Sequence, residues 1–324
     1  MLAGVAVLWL FVLLCGVALI VWGAEAFAEN LARTAVQLGV GVFALALLLA
    51  GAEPEELATA VTASLRGSPG ISIGDVIGAN VTICLVALGL GAVIAPLPFS
   101  RRVLWYAFAA IPIGAASVVI SWSGSISRLE GVVLVALYVI YVAVIWRFEH
   151  APPSLGEVGE LAEAEEEREE HPTGRRLGRE GALVLAGLGA MVAGAWLLVE
   201  GVRQLTGVEG NQTTLGLTVV GFATGFELVV LAWSAARRGA SDVLVASVVG
   251  SFGYNTTMTL GGAAIARPLN LQNVTALHVP LLMMIGSLAL VLALALPQRR
   301  LTRWAGVVLL CAYPAFLVTA VLGA

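Results

Sequence analysis

The chain has 324 residues, of which 59% are hydrophobic and only 12% are charged, and its formal net charge is −4. Its mean hydropathy is +0.96, whereas soluble domains carry about 25% charged residues. This composition excludes a soluble globular protein and indicates an integral membrane protein. We therefore expect the lipid bilayer as a partner and no nucleic acid.

A transmembrane helix needs about 20 predominantly apolar residues, and ten segments of the sequence meet this requirement. The first is predicted to be a retained helix rather than a signal peptide, because no basic region precedes it and no cleavage site is evident before Glu25. In chain order, the predicted spans cover residues 3–24, 38–65, 72–95, 103–122, 129–147, 181–202, 213–236, 242–263, 275–296 and 303–322. The predicted fold class is an all-α polytopic membrane protein with ten transmembrane helices.

The second predicted span carries three acidic residues near its centre, Glu53, Glu55 and Glu56. An acid at the bilayer centre costs at least roughly 2.5–3.5 kcal/mol on insertion scales, so a cation, a proton or a water-filled cavity is expected to compensate. Pro54 is expected to break the helix here and to free backbone carbonyls for a cation. Asp75, nearly one turn into the third span, is a further candidate for lining an ion pathway.

Residues 149–180 form the only long polar segment and divide the chain into residues 1–148 and 181–324, each with five predicted spans. We predict that this Glu-rich loop is a solvated linker, with weak regulatory cation binding as the alternative. An odd number of spans in each half forces the halves into opposite orientations. This is the inverted-repeat plan of many secondary transporters, whose sites lie at the bilayer midplane on broken helices.

The arginines predict the orientation. With an external N-terminus, 13 of the 17 basic residues fall in inside loops and 4 in outside loops. The positive-inside rule favours this arrangement. We predict a plasma (inner) membrane protein with both termini outside and the 149–180 loop in the cytoplasm.

The second half repeats features of the first. The seventh span carries a single acid, Glu227, near its middle, and residues 63–80 resemble residues 234–251. Pairing Gly67 with Gly239 and Gly78 with Gly250 places Glu55 opposite Glu227. Two half-proteins with acids at matching depth indicate an ion pathway.

In each half a second motif follows the acids. The second half reads GFATGFEL at 221–228 and ASVVGSFGYN at 246–255, and the first half reads GAEPEEL at 51–57 and GDVIGANVTI at 74–83. This arrangement resembles the cation/calcium exchanger superfamily of sodium/calcium exchanger-like antiporters. Their two inverted alpha repeats read roughly G-T-S-L-P-E-L and then G-N-x-x-G-S-N-x-x-N/D. The resemblance covers essentially the whole chain. It implies ions bound between spans 2, 3, 7 and 8, with spans 1 and 6 moving against the other eight helices.

The resemblance also implies candidate metal ligands. In the second half the family glutamate falls on Glu227, and in the first half it falls on Glu56 when G-x-x-x-x-E-L is kept in register. These two residues would be the paired central carboxylates. The complete candidate set is Glu53, Glu55, Glu56, Asp75, Thr224, Glu227, Ser251 and Asn255.

Two residues of the first half, Glu55 and Glu56, could correspond to the family glutamate. Glu53 and Glu56 are three residues apart and would share a helix face, which favours Glu56. Glu55 would lie about 100° away from Glu56 and could act as an outer acid or face a cavity. The overlay of the halves instead places Glu55 opposite Glu227, so both residues stay candidates.

The first half departs from the family pattern, because Ala52, Ala79 and Ile83 stand where the family has threonine, serine and asparagine. A sodium site built from hydroxyl and amide oxygens is thereby weakened. A carboxylate cluster instead suits a divalent cation or proton exchange. Acids so close together cannot all be ionised in a low dielectric, so the coupling ion stays open between Na⁺ and H⁺.

The leading hypothesis is a secondary active antiporter that exports Ca²⁺ in exchange for Na⁺ or H⁺. The alternatives are a monovalent Na⁺/H⁺ antiporter and a degenerate, non-transporting membrane scaffold or sensor. The costly acids argue against a scaffold. No nucleophile–base pair or metal motif indicates an enzyme, and no cofactor is expected besides the transported cations. The sequence leaves the oligomeric state open, and a monomer suffices.

Overall fold

The computed structural model of the chain describes residues 2–37, 53–149, 177–206, 209–238 and 241–323. The first part of the second predicted span and most of the acidic 149–180 loop lie outside the described residues. The predictions for those two segments therefore stay predictions.

The described residues are nearly all helical. In chain order the helices are α1 (Leu2–Gln37), α2 (Pro54–Leu65), α3 (Pro69–Thr82, continued by a π-helical turn at Ile83–Ala87 and by Leu88–Ile94), α4 (Arg101–Ser121), α5 (Arg128–Glu149), α6 (Leu177–Thr206), α7 (Glu209–Leu215, continued by a π-helical turn at Gly216–Val220 and by Gly221–Thr224), α8 (Phe226–Arg238), α9 (Ser241–Tyr254, continued by a π-helical turn at Asn255–Thr259 and by Leu260–Ala266), α10 (Thr275–Ala295) and α11 (Arg303–Leu322).

Within the described ranges, eight helical stretches are long and apolar enough to cross a membrane. The other two predicted spans contain α2 and α9. Only the part of the second span from Glu53 onward is described. The eighth span is helical throughout, but its π-helical turn Asn255–Thr259 is mostly polar, which lowers the hydropathy of α9.

Local sequence signals explain where several helices begin. Pro54 and Pro69 are the first residues of α2 and α3, a position where proline loses no helical hydrogen bond. Ser100 caps α4 by accepting a hydrogen bond of 3.2 Å from the Val103 amide. Gly67 joins α2 to α3 with φ of +71°, a conformation that glycine adopts without a steric penalty.

Two helices extend beyond the hydropathy-based predictions. α1 continues to Gln37 rather than ending at residue 24, and α6 begins at Leu177, inside the predicted 149–180 loop. The added turns carry charged residues that hydropathy counts against a membrane span. Helix formation tolerates them, because charged residues with straight side chains are good helix formers.

Four two-residue strands connect the halves. β1 (Leu97–Pro98) pairs with β4 (Arg300–Leu301), and β2 (Ser125–Ile126) pairs with β3 (Leu269–Asn270), both antiparallel. Each pair therefore takes one strand from residues 1–148 and one from residues 181–324. These pairings join loops that are far apart in the chain.

The order of elements recurs along the chain. A helix with acid in its first turn, α2 or α8, is followed by a helix with a π-helical turn, α3 or α9. Each series then continues with a short strand, a helix, a second short strand and a final helix. This recurrence matches the repetition seen in the sequence.

α1 and α6 lie against each other along much of their length, with glycines at the contact. A Cβ atom at Gly16 would lie 2.7 Å from the Gly194 carbonyl oxygen, and one at Gly23 would lie 2.7 Å from that of Gly187. Small residues allow this close backbone approach in membrane helices. The two helices therefore form a closely packed pair.

The buried apolar side chains fall into two clusters. The larger one contains side chains from α2 to α5 and from α7 to α11. The smaller one joins the α1–α6 pair to the rest through residues such as Leu13, Ile20, Ile71 and Leu198. The α1–α6 pair thus contacts the other helices through a separate, smaller apolar interface.

α3 and α7 cross with their backbones in contact. A Cβ atom at Gly78 would lie 2.2 Å from the Leu217 carbonyl oxygen, and one at Gly221 would lie 2.5 Å from the Ala79 amide nitrogen. Real Cβ atoms do not approach so closely, so both positions require glycine. This crossing brings the end of α7 beside the acids of α2 and α3.

Candidate functional site

The N-terminal end of α2 presents three carboxyl groups to the interior. Glu53 is the residue before the helix, with φ of −116° and ψ of 81°, and Glu55 and Glu56 lie in the first turn. Their exposed fractions are 7%, 2% and 0%. The helix N-terminus carries a partial positive charge that stabilises nearby carboxylates, which offsets part of the cost of burying them.

Glu53 connects α2 to α9. The buried Ser251 hydroxyl donates a hydrogen bond to Glu53 Oε1, and the Glu55 side chain is close enough for the two carboxyl groups to interact electrostatically. Two neighbouring buried carboxylates repel each other, so a proton on one of them or a bound cation would stabilise the pair. This end of the site therefore suits either a proton or a cation.

Glu56 lies at the centre of the acidic cluster. Asp75, Glu53 and Glu227 all act on it electrostatically. Asn255 is close by, but in the described structure neither Glu56 oxygen forms a hydrogen bond of acceptable geometry, and the same holds for Asn255 Nδ2. The two side chains are therefore neighbours without a hydrogen bond between them. Buried polar atoms without partners are uncommon in proteins and call for an explanation.

Asp75 adds a carboxyl group from α3. Its Oδ1 lies 2.8 Å from the Thr224 hydroxyl, which is also 3.2 Å from the Val220 carbonyl oxygen one turn earlier in α7. Asp75 is fully buried, and its second oxygen has no hydrogen-bond partner among the described residues. Asp75 lies within the second turn of α3, deeper than the sequence predicted, because α3 begins at Pro69.

Glu227 brings the acid of the second half to the same cluster. It follows the interruption at Gly225 and is the second residue of α8. It is half-buried and acts electrostatically on Glu55 and Glu56. The charged groups that act on Glu55 and Glu56 from the described residues are all acidic.

α9 contributes polar groups that carry no charge. Ser251 contacts Glu53, and Asn255 is the first residue of a π-helical turn whose Thr259 hydroxyl lies 3.2 Å from Asn255 Oδ1. Such turns often occur at functional sites in helices. All eight residues predicted from the sequence therefore lie in one connected neighbourhood, formed by α2, α3, α7, α8 and α9.

The positions at which α2 and α8 begin help to decide whether Glu55 or Glu56 corresponds to Glu227. Glu53 and Glu56 would share a regular helix face only if both were helical, whereas Glu53 precedes the first helical residue. Glu55 and Glu227 are each the second residue of their helix, as the overlay of the halves predicted. Both Glu55 and Glu56 face the cluster, so each remains a candidate ligand.

One buried amide near this region was missed in the sequence. Asn80 of α3 is fully buried, its Nδ2 donates to the Val76 carbonyl oxygen at 2.9 Å, and its Oδ1 has no hydrogen-bond partner among the described residues. The sequence signal for Asn80 was a single amide side chain within a largely apolar predicted span.

The carboxyl groups are neighbours but do not form a ready-made metal cage. Across the described ranges, no group of three His, Cys, Asp or Glu side chains is arranged to hold a metal ion. A hard cation also accepts hydroxyl, amide and backbone carbonyl oxygens. The residues present fit such a cation only if Thr224, Ser251 or Asn255 complement the carboxylates.

We expect Thr224→Val to destabilise the protein by about 1–3 kcal/mol, because it leaves both oxygens of the buried Asp75 without a hydrogen-bond donor. Valine has nearly the shape of threonine, so packing is preserved. The measurement is the free energy of unfolding of the detergent-solubilised protein. Thr224→Ser keeps the hydroxyl and is the matched control. Equal stability of Thr224→Val and Thr224→Ser would show that the contact with Asp75 contributes nothing.

Comparison with known proteins places these features in a family. The chain matches the sodium/calcium exchanger protein family over residues 8–147 and 181–322. It is 25% identical to the sodium/calcium exchanger MaX1 of Methanosarcina acetivorans, over 95% of this chain and 97% of that protein. It is 24% identical to the inner membrane protein YrbG of Escherichia coli, over 79% of each.

The fold is similar to that of solved structures. The sodium-calcium exchanger NCX_Mj, in a structure of crystals soaked with Na⁺ and Sr²⁺, superimposes with a TM-score of 0.60 at 23% identity, covering 98% of both chains. A second structure of the same exchanger gives a TM-score of 0.61. The family match spans most of the sequence on both sides of the acidic loop. This chain is a membrane protein of the sodium/calcium exchanger family.

Proposed function

We propose that this protein is a secondary active antiporter that exports Ca²⁺ in exchange for Na⁺ or H⁺. The observation that carries the proposal is the neighbourhood of five carboxyl groups, Glu53, Glu55, Glu56, Asp75 and Glu227, at the starts of α2 and α8 and within α3. So many buried acids without a matching cation are unfavourable. A divalent cation or bound protons would compensate them.

The ligand chemistry supports Ca²⁺ as the cargo. Ca²⁺ takes six to eight oxygen ligands, including carboxylates, hydroxyls, amide oxygens and backbone carbonyls. Glu56 and Glu227 would provide the central pair, with Glu53, Asp75 and Glu55 as further carboxylates. Thr224, Ser251 and Asn255 would supply neutral oxygens. Relatives named as sodium/calcium exchangers support the same cargo.

The transport cycle we propose follows from the packing. Ten spans in two inverted five-helix repeats would place the site near the middle of the bilayer, with both termini outside and the 149–180 loop cytoplasmic. The α1–α6 pair would move against the remaining helices across its smaller apolar interface. That movement would expose the site alternately to the two sides. The protein would act without a cofactor, and a monomer would suffice.

Binding by single-site variants tests the ligand assignment. We expect Glu56→Gln to weaken ⁴⁵Ca²⁺ binding to the purified protein at least tenfold, because Glu56 lies between the carboxylates of both halves. Glu55→Gln should weaken binding less, because Asp75 acts electrostatically on Glu56 but is not among the carboxylates that act on Glu55. The opposite order would assign the central position to Glu55. Unchanged binding in both variants would contradict a calcium site at α2.

A further inference from the structure

A charged cluster lies where the C-terminal end of α2 meets α6. Arg66, directly after α2, forms an ion pair with Glu200 of α6. Its guanidinium lies 4.5 Å from the centre of the Trp196 ring. Arg203 of α6 donates a hydrogen bond of 3.1 Å to the Arg66 backbone carbonyl oxygen. We call Arg66, Trp196, Glu200 and Arg203 the α2–α6 latch.

The latch is more enclosed than an ordinary surface ion pair. The side chains of Arg66 and Glu200 are only 19% and 16% exposed, and Gln204 donates to the second oxygen of Glu200 at 2.6 Å. Exposed ion pairs contribute little to stability, whereas shielded pairs within a network contribute more. Three contacts therefore join the end of α2 to α6, and together they favour one relative position of those helices.

The other side of the α2 end is fixed to the larger helix group. The Ser64 hydroxyl lies 2.8 Å from the carbonyl oxygens of Ala263, in the last turns of α9, and of Arg267, directly after that helix. Arg267 in turn donates to the Leu65 carbonyl oxygen at 3.2 Å. α2 therefore belongs to the larger group, and the latch crosses from this group to the α1–α6 pair.

We propose that the α2–α6 latch holds the α1–α6 pair in the position seen here and must open when the pair moves. Among the described residues, the small apolar cluster also joins the α1–α6 pair to the larger helix group, and its apolar contacts carry no hydrogen bond that sliding would break. α2 links the latch at its C-terminal end to the acids at its N-terminal end. Opening the latch would thus couple movement of α6 to the ion site. This inference rests on the alternating-access movement proposed above.

The test measures conformation rather than transport. Spin labels are attached at two exposed positions, Leu205→Cys on α6 and Gln272→Cys after β3. Pulsed electron paramagnetic resonance then measures the distance between the α1–α6 pair and the larger helix group. The three free cysteines, Cys15, Cys84 and Cys311, are replaced first. The protein is measured in lipid nanodiscs with and without Ca²⁺.

If the α1–α6 pair moves as proposed, the spin labels report one distance for the position seen here and a second distance for the moved position. We expect Glu200→Gln and Arg66→Gln to lower the ratio of the first population to the second by about fivefold, as expected for the loss of a shielded ion pair. The charge exchange Arg66→Glu with Glu200→Arg should restore much of the original distribution. Glu130→Gln is the matched control, because Glu130 is a partly exposed acid far from the latch in the chain, and among the described residues its carboxylate accepts hydrogen bonds from Ser127 in its own turn.

Distance distributions in Glu200→Gln that superimpose on those of the parent protein would overturn the latch. A shift that the exchanged pair does not reverse would also overturn it, because the effect would then come from general disturbance of α6. If the distances respond as expected while no ion is transported, the latch proposal is supported and the proposed transport function is contradicted. The two failures are therefore distinguishable.

Discussion

Glu227→Gln is expected to reduce gradient-driven Ca²⁺ flux at least about thirtyfold, because removing one member of a buried charged contact costs about 2–5 kcal/mol. Glu227 is the single acidic residue of α8 and the second half's only carboxyl group in the described cluster. Glutamine has the same size and keeps one carbonyl oxygen. The loss would therefore report the missing charge rather than lost packing.

Two further variants make the Glu227 result specific. Glu227→Asp keeps the charge and should retain measurable flux. Glu25→Gln removes an exposed acid from α1 and should leave flux unchanged. All variants are compared after reconstitution at equal protein density. Normal flux in folded Glu227→Gln would remove this residue from the site and with it the contribution of α8.

Gly78→Ala is expected to prevent stable folding or to destabilise the protein by about 3 kcal/mol or more. The added Cβ would lie 2.2 Å from the Leu217 carbonyl oxygen, and a backbone atom cannot move aside as a flexible side chain can. Overpacking a core typically costs 1–3 kcal/mol, and backbone contact raises that cost. The measurement is thermal unfolding, together with the yield of monodisperse protein.

Gly286→Ala is the matched control for Gly78→Ala. Gly286 also lies inside a membrane helix, α10, but a Cβ atom there would meet nothing within 4 Å. Alanine should be tolerated at this position or should stabilise the helix slightly. Similar unfolding temperatures for the two variants would contradict the close crossing of α3 and α7.

Much of the fold was predictable, because hydropathy marks most spans directly. It fails where polar residues occur inside a helix, as in the π-helical turn of α9, and where a helix extends past its apolar stretch. The end of α1 at Gln37 shows the second case. Nothing in residues 25–37 breaks a helix, but the charged residues there end the hydropathy signal.

The acids of the site were predictable for a physical reason. Buried charge is so costly that Glu53, Glu55, Glu56 and Glu227 stand out in apolar segments. Local geometry was not predictable in the same way. That Glu53 precedes the helix, and so does not share a regular helix face with Glu56, depends on where α2 begins.

Contacts between segments that are distant in the chain could not be predicted from the sequence. Arg66 and Glu200 each look like ordinary charged residues at a span end, where solvation is the simplest expectation. Their pairing depends on how α6 lies against α2, across more than 130 residues of chain. Asn80 shows the same limit, since its burial follows from helix packing rather than from its neighbours in sequence.

The most direct test is Ca²⁺ uptake into proteoliposomes, first under an imposed Na⁺ gradient and then under an imposed pH gradient, with Glu227→Gln measured alongside. We predict uptake driven by one of the two gradients and lost in Glu227→Gln, which would identify the coupling ion. Absence of uptake under either gradient, with well-folded protein, would contradict Ca²⁺ antiport. Monovalent cation exchange or a non-transporting role would then become the leading explanation.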